Sequence, residues 1–145
     1  MFYWLVKLLL RPLFVLLFRP RVTGRRHIPT RGGALLASNH LSMTDSLFLP
    51  VMVRRRVSFL AKIEYFTGRG LKGRAKAAFV RWTGLIPIDR GDSDAAQAAL
   101  ATGARAVRDG MLLGVYPEGT RSPDGRLFKG KTGIARMAME TGAPV

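Results

Sequence analysis

A histidine and a carboxylate stand five positions apart in Asn39-His40-Leu41-Ser42-Met43-Thr44-Asp45, directly after a short apolar run. Imidazole supplies a general base near neutral pH, and it needs a partner that fixes its tautomer. Asp45 can accept from one ring nitrogen and leave the other free to take a proton. Along one continuous helix, five residues turn through about 500°, which would splay the pair apart. The pairing therefore requires His40 in the turn before a helix and Asp45 in its first turn. Two readings of this spacing stand side by side: a base with its orienting acid, or a turn histidine with Asp45 as a helix cap. Ser42 is either a nucleophile beside His40 or a cap, and no Gly-x-Ser-x-Gly elbow surrounds it.

A second polar cluster, Tyr116-Pro117-Glu118-Gly119-Thr120-Arg121-Ser122, follows another apolar run. Arg121 can grip a phosphate through two parallel hydrogen bonds. Backbone amides near Gly119 and the Thr120 hydroxyl add donors, and Glu118 can accept from a polyol hydroxyl or hold an arginine. The alternative is a polar hairpin turn, since Pro123-Asp124-Gly125 comes next. Arg90 is a further phosphate candidate, or an ion-pair partner of Asp89 or Asp92. Lys129 and Lys131 flank Gly130 as a third cationic element or as a solvated pair. Nothing predicts a metal: His27 and His40 are the only histidines, cysteine is absent, and no zinc-ligand spacing occurs. A Walker loop and a GxGxxG after a strand are also missing, which disfavours nucleotide and dinucleotide chemistry.

These clusters need elements to hold them. Ala34 to Ser38, Val57 to Leu60, Gly84 to Ile88 and Met111 to Tyr116 read as short strands, with Pro87 either arguing against the third or placing it at a sheet edge. Between them lie helical patterns. Ser42 and Asp45 resemble a capping box that starts a helix near Met43, which Pro50 bends or ends. Leu71, Ala75, Ala78, Phe79 and Trp82 make one stripe, with Arg69, Lys72 and Lys76 on another side. Ser93 caps a helix carrying Ala96, Leu100, Ala104 and Val107 on one face, and Gly110 stops it. Ile134, Met137 and Ala138 mark a last helix before Gly142. The alternation predicts an α/β fold with a mostly parallel sheet flanked by helices. His40, Asp89-Arg90 and Glu118 to Arg121 then all fall after strands, where open α/β sheets form their ligand crevice.

The 145 residues fit one domain, and 48% hydrophobic content excludes a disordered chain. An excess of 24 Lys and Arg over 9 Asp and Glu, a formal charge of +15, favours an anionic partner. The aromatics gather in the N-terminus and the core stripes rather than among the arginines, which speaks against nucleic acid. Met1 to Phe18 is apolar apart from Lys7 and Arg11, which share a helix face four residues apart. The segment reads as a helix in the membrane interface with its cations toward headgroups. A helix docked on its own domain and a tilted span are the alternatives. The expected organisation is a membrane-associating amphipathic helix over 1–20, a basic connector over 21–33 and an enzymatic domain over 34–145.

Asn39-His40-x4-Asp45, Ile86-Pro87-Ile88-Asp89-Arg90 and Tyr116-Pro117-Glu118-Gly119-Thr120-Arg121-Ser122 resemble, in order, the first three motifs of the glycerolipid acyltransferases. Tyr116 departs mildly from the phenylalanine that commonly opens the third motif. The resemblance is closest to the 1-acyl-sn-glycerol-3-phosphate O-acyltransferases and implies roles. His40 would deprotonate an acceptor hydroxyl that attacks an acyl thioester directly, and Asp45 would orient it. Arg90, Glu118, Gly119, Thr120 and Arg121, with Lys129 assisting, would hold the glycerol phosphate. The implied acceptor is lysophosphatidic acid and the product phosphatidic acid. The implied donor is acyl-coenzyme A or acyl carrier protein, a co-substrate, with no cofactor or metal. The implied location is peripheral or monotopic on the cytoplasmic face of the membrane. Ala143-Pro144-Val145 resembles the opening of a fourth, apolar motif, so the domain is expected to be incomplete at this end. Other acceptors, such as glycerol 3-phosphate or another lysophospholipid, would need similar parts. So would a non-catalytic binder of anionic lipid.

Overall fold

The apolar runs form one four-stranded sheet. β1 (Ala34–Ala37), β2 (Val57–Lys62), β3 (Ile86–Ile88) and β4 (Leu112–Val115) lie in the order β1-β4-β2-β3, every adjacent pair parallel. The helices are α1 (Phe2–Phe18), α2 (Asp45–Met52), α3 (Gly70–Thr83), α4 (Ala95–Arg108) and α5 (Gly133–Thr141). The computed structural model describes residues 2–67, 70–88 and 95–145, the side chains of Lys76 and Trp82 excepted. Pro87 sits in β3 at the sheet edge, where its missing N–H interrupts no inner ladder.

Side chains alternate across the sheet. Ala34, Phe59 and Leu112 point to one face, and Leu35, Leu60 and Leu113 to the other. Covering both faces explains why the strands read as continuous apolar runs. On one side, Ala104 and Val107 of α4 and Met137 of α5 close over Leu35 and Leu113. On the other, Val53 and Leu49 close over Val57 and Leu112, and α1, α2 and α3 pack beyond them. The chain leaves β1 for α2 on one face and leaves the adjacent β4 for α5 on the opposite face. That divergence opens a crevice at the carboxyl ends of β1 and β4.

α1 meets the docked-helix reading along one stripe and leaves a second, apolar stripe exposed. Val6, Leu10 and Phe14, four apart, turn inward together with Lys7; Phe14 is buried with Val51 and Met52 of α2. Trp4, Leu5, Leu8, Leu9, Leu13 and Leu16 remain exposed. One stripe docks while the other is apolar and uncovered. No described helix is long and apolar enough to cross a membrane. Lys7 departs from the expectation of a cation facing headgroups. Its ammonium donates to the carbonyl of Val53, the C-cap of α2, and to that of Arg55 at 3.4 Å. Orphan carbonyls at a helix end attract a cation. Burial, then the nearby Arg11 charge, lowers the Lys7 pKa to about 8.

α3 also presents a different face from its stripe. Ala77 and Val80 are buried, whereas Leu71 is 86% exposed and Ala75 points outward. Of the stripe, Phe79 meets Phe2 of α1 edge-on, with ring centroids 6.1 Å apart. Arg69, Ser93, Asp89, Arg90 and Asp92 lie outside the described residues. α2 continues through Pro50 to Met52 rather than stopping at it. Beyond α5, Leu35 of β1 donates its N–H to the Pro144 carbonyl at 2.9 Å, so Ala143-Pro144-Val145 runs along the outer edge of β1.

Candidate active site

The turn between β1 and α2 brings the His40 ring onto the Asp45 carboxylate and starts α2 at Asp45. His40 Nδ1 lies 3.1 Å from Asp45 Oδ2, and the same oxygen accepts the N–H groups of Leu41 and Ser42 at 2.8 and 2.7 Å. The Ser42 N–H to Asp45 bond is one half of a capping box. The other half is altered: Ser42 Oγ accepts the Thr44 N–H at 3.2 Å, and α2 begins at Asp45 with Thr44 as N-cap, two residues later than expected. Ser42 therefore works as a turn residue. Burial opposes ionisation of Asp45. The Ser42 N–H, the His40 ring and the Leu41 N–H outweigh it, and the carboxyl is held below its ordinary value. An ionised carboxylate only accepts, so the proton of the neutral ring resides on Nδ1 and Nε2 presents its lone pair.

The ring is held from its face as well as its edge. Tyr116 stacks on His40 with centroids 3.9 Å apart and planes 11° from parallel; Phe59 stacks on the far side of Tyr116 at 5.5 Å and 12°. The hydroxyls of Tyr116 and Ser46 are hydrogen-bonded at 3.0 Å. Burial, countered by that hydrogen bond and reinforced by the Asp45 charge, raises the Tyr116 pKa, so the phenol stays neutral. Space for Phe59 comes from Gly114 of β4: a Cβ there would lie 2.3 Å from the Phe59 ring.

The second cluster meets the first. Ser122 donates its N–H to the His40 carbonyl at 2.8 Å, and the His40 N–H points at Glu118 Oε2 at 3.4 Å. Glu118 is buried, whereas Gly119, Thr120 and Arg121 are exposed around it. The turn needs Gly119 at φ +73°, and its N–H donates to the Tyr116 carbonyl at 3.0 Å. Asp124 closes the following turn by accepting from the Ser122 hydroxyl and the Arg126 N–H. The cation against this loop is Lys131: its ammonium would stand 3.3 Å from a Cβ on Gly119, and its N–H donates to the Pro117 carbonyl at 2.8 Å. Lys129 is exposed with no such contact among the described residues. His40, Asp45, Glu118, Gly119, Thr120 and Arg121 thus share one end of the sheet, and Arg90 is outside the described residues. Among those residues no group of three or more metal-ligating side chains occurs.

Spacing alone missed Phe59 and Ser46, and it offered Lys131 only together with Lys129. The aromatic opening of the second cluster was the one visible hint of a stack on His40.

The family model described as Acyltransferase matches residues 19–145, and the chain belongs to that family. It is similar to the 1-acyl-sn-glycerol-3-phosphate acyltransferase of Borreliella burgdorferi, 27% identical over 128 residues, covering 86% of this chain and 48% of that protein. The enzyme of the same name from Limnanthes douglasii is 31% identical over 135 residues, covering 86% and 42%. The human beta enzyme is 29% identical over 129 residues, covering 88% and 44%. The crystal structure of PlsC, the LPA acyltransferase of Thermotoga maritima, superposes with a TM-score of 0.60 at 24% identity, over 83% of this chain and 46% of that one, and shares its fold. The chain spans somewhat less than half the length of these relatives.

Proposed function

We propose that the chain carries the catalytic centre of an O-acyltransferase that converts lysophosphatidic acid to phosphatidic acid. Nε2 of His40 takes the proton from the free hydroxyl, and the hydroxyl oxygen attacks the carbonyl carbon of an acyl thioester. The tetrahedral intermediate collapses with cleavage of the carbon–sulfur bond. The imidazolium then returns the proton to the departing thiolate, leaving an ester and free coenzyme A or acyl carrier protein. Asp45 holds the tautomer and stabilises the imidazolium. Arg121 and Lys131, with Gly119 and Thr120 beside them, receive the phosphate; Arg90 is assigned there by its motif alone. The observation that carries the reading is Asp45 Oδ2 on His40 Nδ1 at 3.1 Å, next to the Glu118–Arg121 loop. The names of the relatives, two of them quoted above at 27% and 31% identity, favour this acceptor.

An apolar cavity of about 190 Å³ opens beside the site between α1, α2, α3 and β2. Ser46 and Leu47 stand at its near end; Tyr3, Val57, Phe79, Val80 and Leu85 are among its walls. Its volume is close to that of a dry apolar cavity that admits benzene, ~150 Å³. It takes the first methylenes of a fatty chain whose thioester lies at His40. The exposed stripe of α1 lies in the membrane interface, where that chain would be presented.

The test is transfer of labelled acyl groups from coenzyme A and acyl carrier protein thioesters to a panel of phosphorylated and unphosphorylated acceptors. Transfer to lysophosphatidic acid in preference to glycerol 3-phosphate and to a phosphate-free monoacylglycerol is the expected result. Preference for the phosphate-free acceptor would remove the phosphate clamp from the reading.

A further inference from the structure

We propose a second anion site, for a phosphate group, at the end of the sheet opposite His40. A cavity of about 680 Å³ lies at the amino ends of β2, β3 and β4, walled by Arg54, Arg55, Arg56, Arg81, Trp4 and Met111 among others. The volume falls within the ~300–1,000 Å³ range of ligand sites. Among the described residues no acidic side chain lines it. Among the described residues none of the four arginines has a carboxylate partner; the ion pairs there are His40–Asp45, Arg108–Glu140 and Arg126–Asp124.

The arginines are not an idle solvated run. Arg55 is a staple, donating to the carbonyls of Pro29, Gly32 and Gly110 at 2.8, 2.7 and 2.9 Å. Arg56 lies over the Tyr3 ring, 5.3 Å from its centroid. These two fix positive charge in the wall without spending it on a carboxylate. Arg81 makes one long bond, to the Phe66 carbonyl at 3.4 Å, and Arg54 is exposed. Their guanidinium donors remain free for a ligand, and guanidinium is the group that best matches phosphate oxygens. Clustered like charges repel, and a phosphate relieves that repulsion. Trp4, half exposed at the rim, continues into the exposed Leu5, Leu8 and Leu9 of α1. A phosphate held here therefore sits beside an apolar surface. The headgroup of an anionic lipid and a soluble phosphoanion both supply that chemistry. Neither involves the acceptor clamp, which is at the other end of the strands.

Two pairs of substitutions test the site in otherwise intact protein. Arg54→Gln with Arg81→Gln removes the free donors. Arg105→Gln with Arg136→Gln removes the same charge from exposed positions on α4 and α5, across the sheet. Sedimentation with phosphatidylcholine vesicles, with and without phosphatidylglycerol, reads the lipid arm, and calorimetric titration with tripolyphosphate reads the soluble arm. The first pair is expected to lose about tenfold or more of the phosphatidylglycerol-dependent affinity, tripolyphosphate binding, or both. The second pair keeps them. Loss in the vesicle arm alone assigns a lipid headgroup, and loss in the titration alone assigns a soluble phosphoanion. Equal losses from both pairs, or no loss from the first, would overturn the site in favour of bulk charge. If the double variant melts early, Arg54→Gln alone, at a side chain with no described bond, repeats the comparison.

Discussion

The two faces of the sheet are built to opposite specifications. Under α4 and α5, Ala104 and Leu113 are both 0% exposed, and a Cβ on Gly103 would stand 2.6 Å from the Met137 sulfur. Under α1, α2 and α3 the same sheet leaves a cavity of about 190 Å³. Close packing transmits strain and resists change of volume. The filled face therefore acts as a rigid backing that fixes the strand ends on which His40 and Glu118 stand. The hollow face can admit a ligand without moving those ends. On the proposed reading, a sheet with one face of each kind separates the positioning of reacting groups from the accommodation of an acyl chain.

That division can be broken or sharpened by substitution. The largest effect belongs to the strand ends: His40→Ala should lower acyl transfer by at least ~10²–10⁴-fold while thermal stability stays near wild type, as read by turnover and melting together. Asp45→Asn should follow, with a drop of up to ~10⁴-fold, because the amide can present a donor to Nδ1 and favour the wrong tautomer. It should also lose a pH-dependent part of stability. The folded carboxyl lies below its ordinary 3.8, so its contribution is complete above that value and fades as pH falls through the lower folded value. Denaturant midpoints followed into acid should show this fade in the parent and not in Asp45→Asn.

Next comes the direct comparison of faces. Ala104→Leu on the filled side should cost about 1–3 kcal/mol of stability through overpacking, with acyl-chain preference unchanged. Val80→Phe on the hollow side should cost less and shift preference toward shorter chains, read by competition among acyl thioesters. Equal stability losses would show that the cavity collapses in solution.

The smallest effect concerns Lys7. Its pKa is about 8 in the fold against 10.5 unfolded, so between these values the unfolded state binds more protons and stability rises with pH. Lys7→Met should remove that slope from denaturation curves measured across the interval.

How much of this was legible in the chain depends on the range of the interactions. His40 and Asp45 are joined through a local turn, and their five-residue spacing announced it. The strands were legible as apolar runs between turn residues, and the edge position of β3 was one of the two readings that Pro87 allowed. The acyltransferase assignment read from three motifs agrees with the family match. What spacing concealed was long-range. Lys7 turns inward because the end of α2 lies beneath it, 46 residues away. The support of His40 by Phe59 and Tyr116 arises only when β2 and β4 pair. Lys129 and Lys131 flank the same glycine, and only the path of the loop distinguishes them.

One atom has a consequence for how this protein can vary. Asp45 Oδ2 ends the turn after β1, stabilises the start of α2 and orients the imidazole. Active sites commonly purchase turnover with robustness, so that mutations pull the two apart. On the proposed mechanism the same change at this position harms both, and a lineage under pressure for either one would be driven to keep the same aspartate.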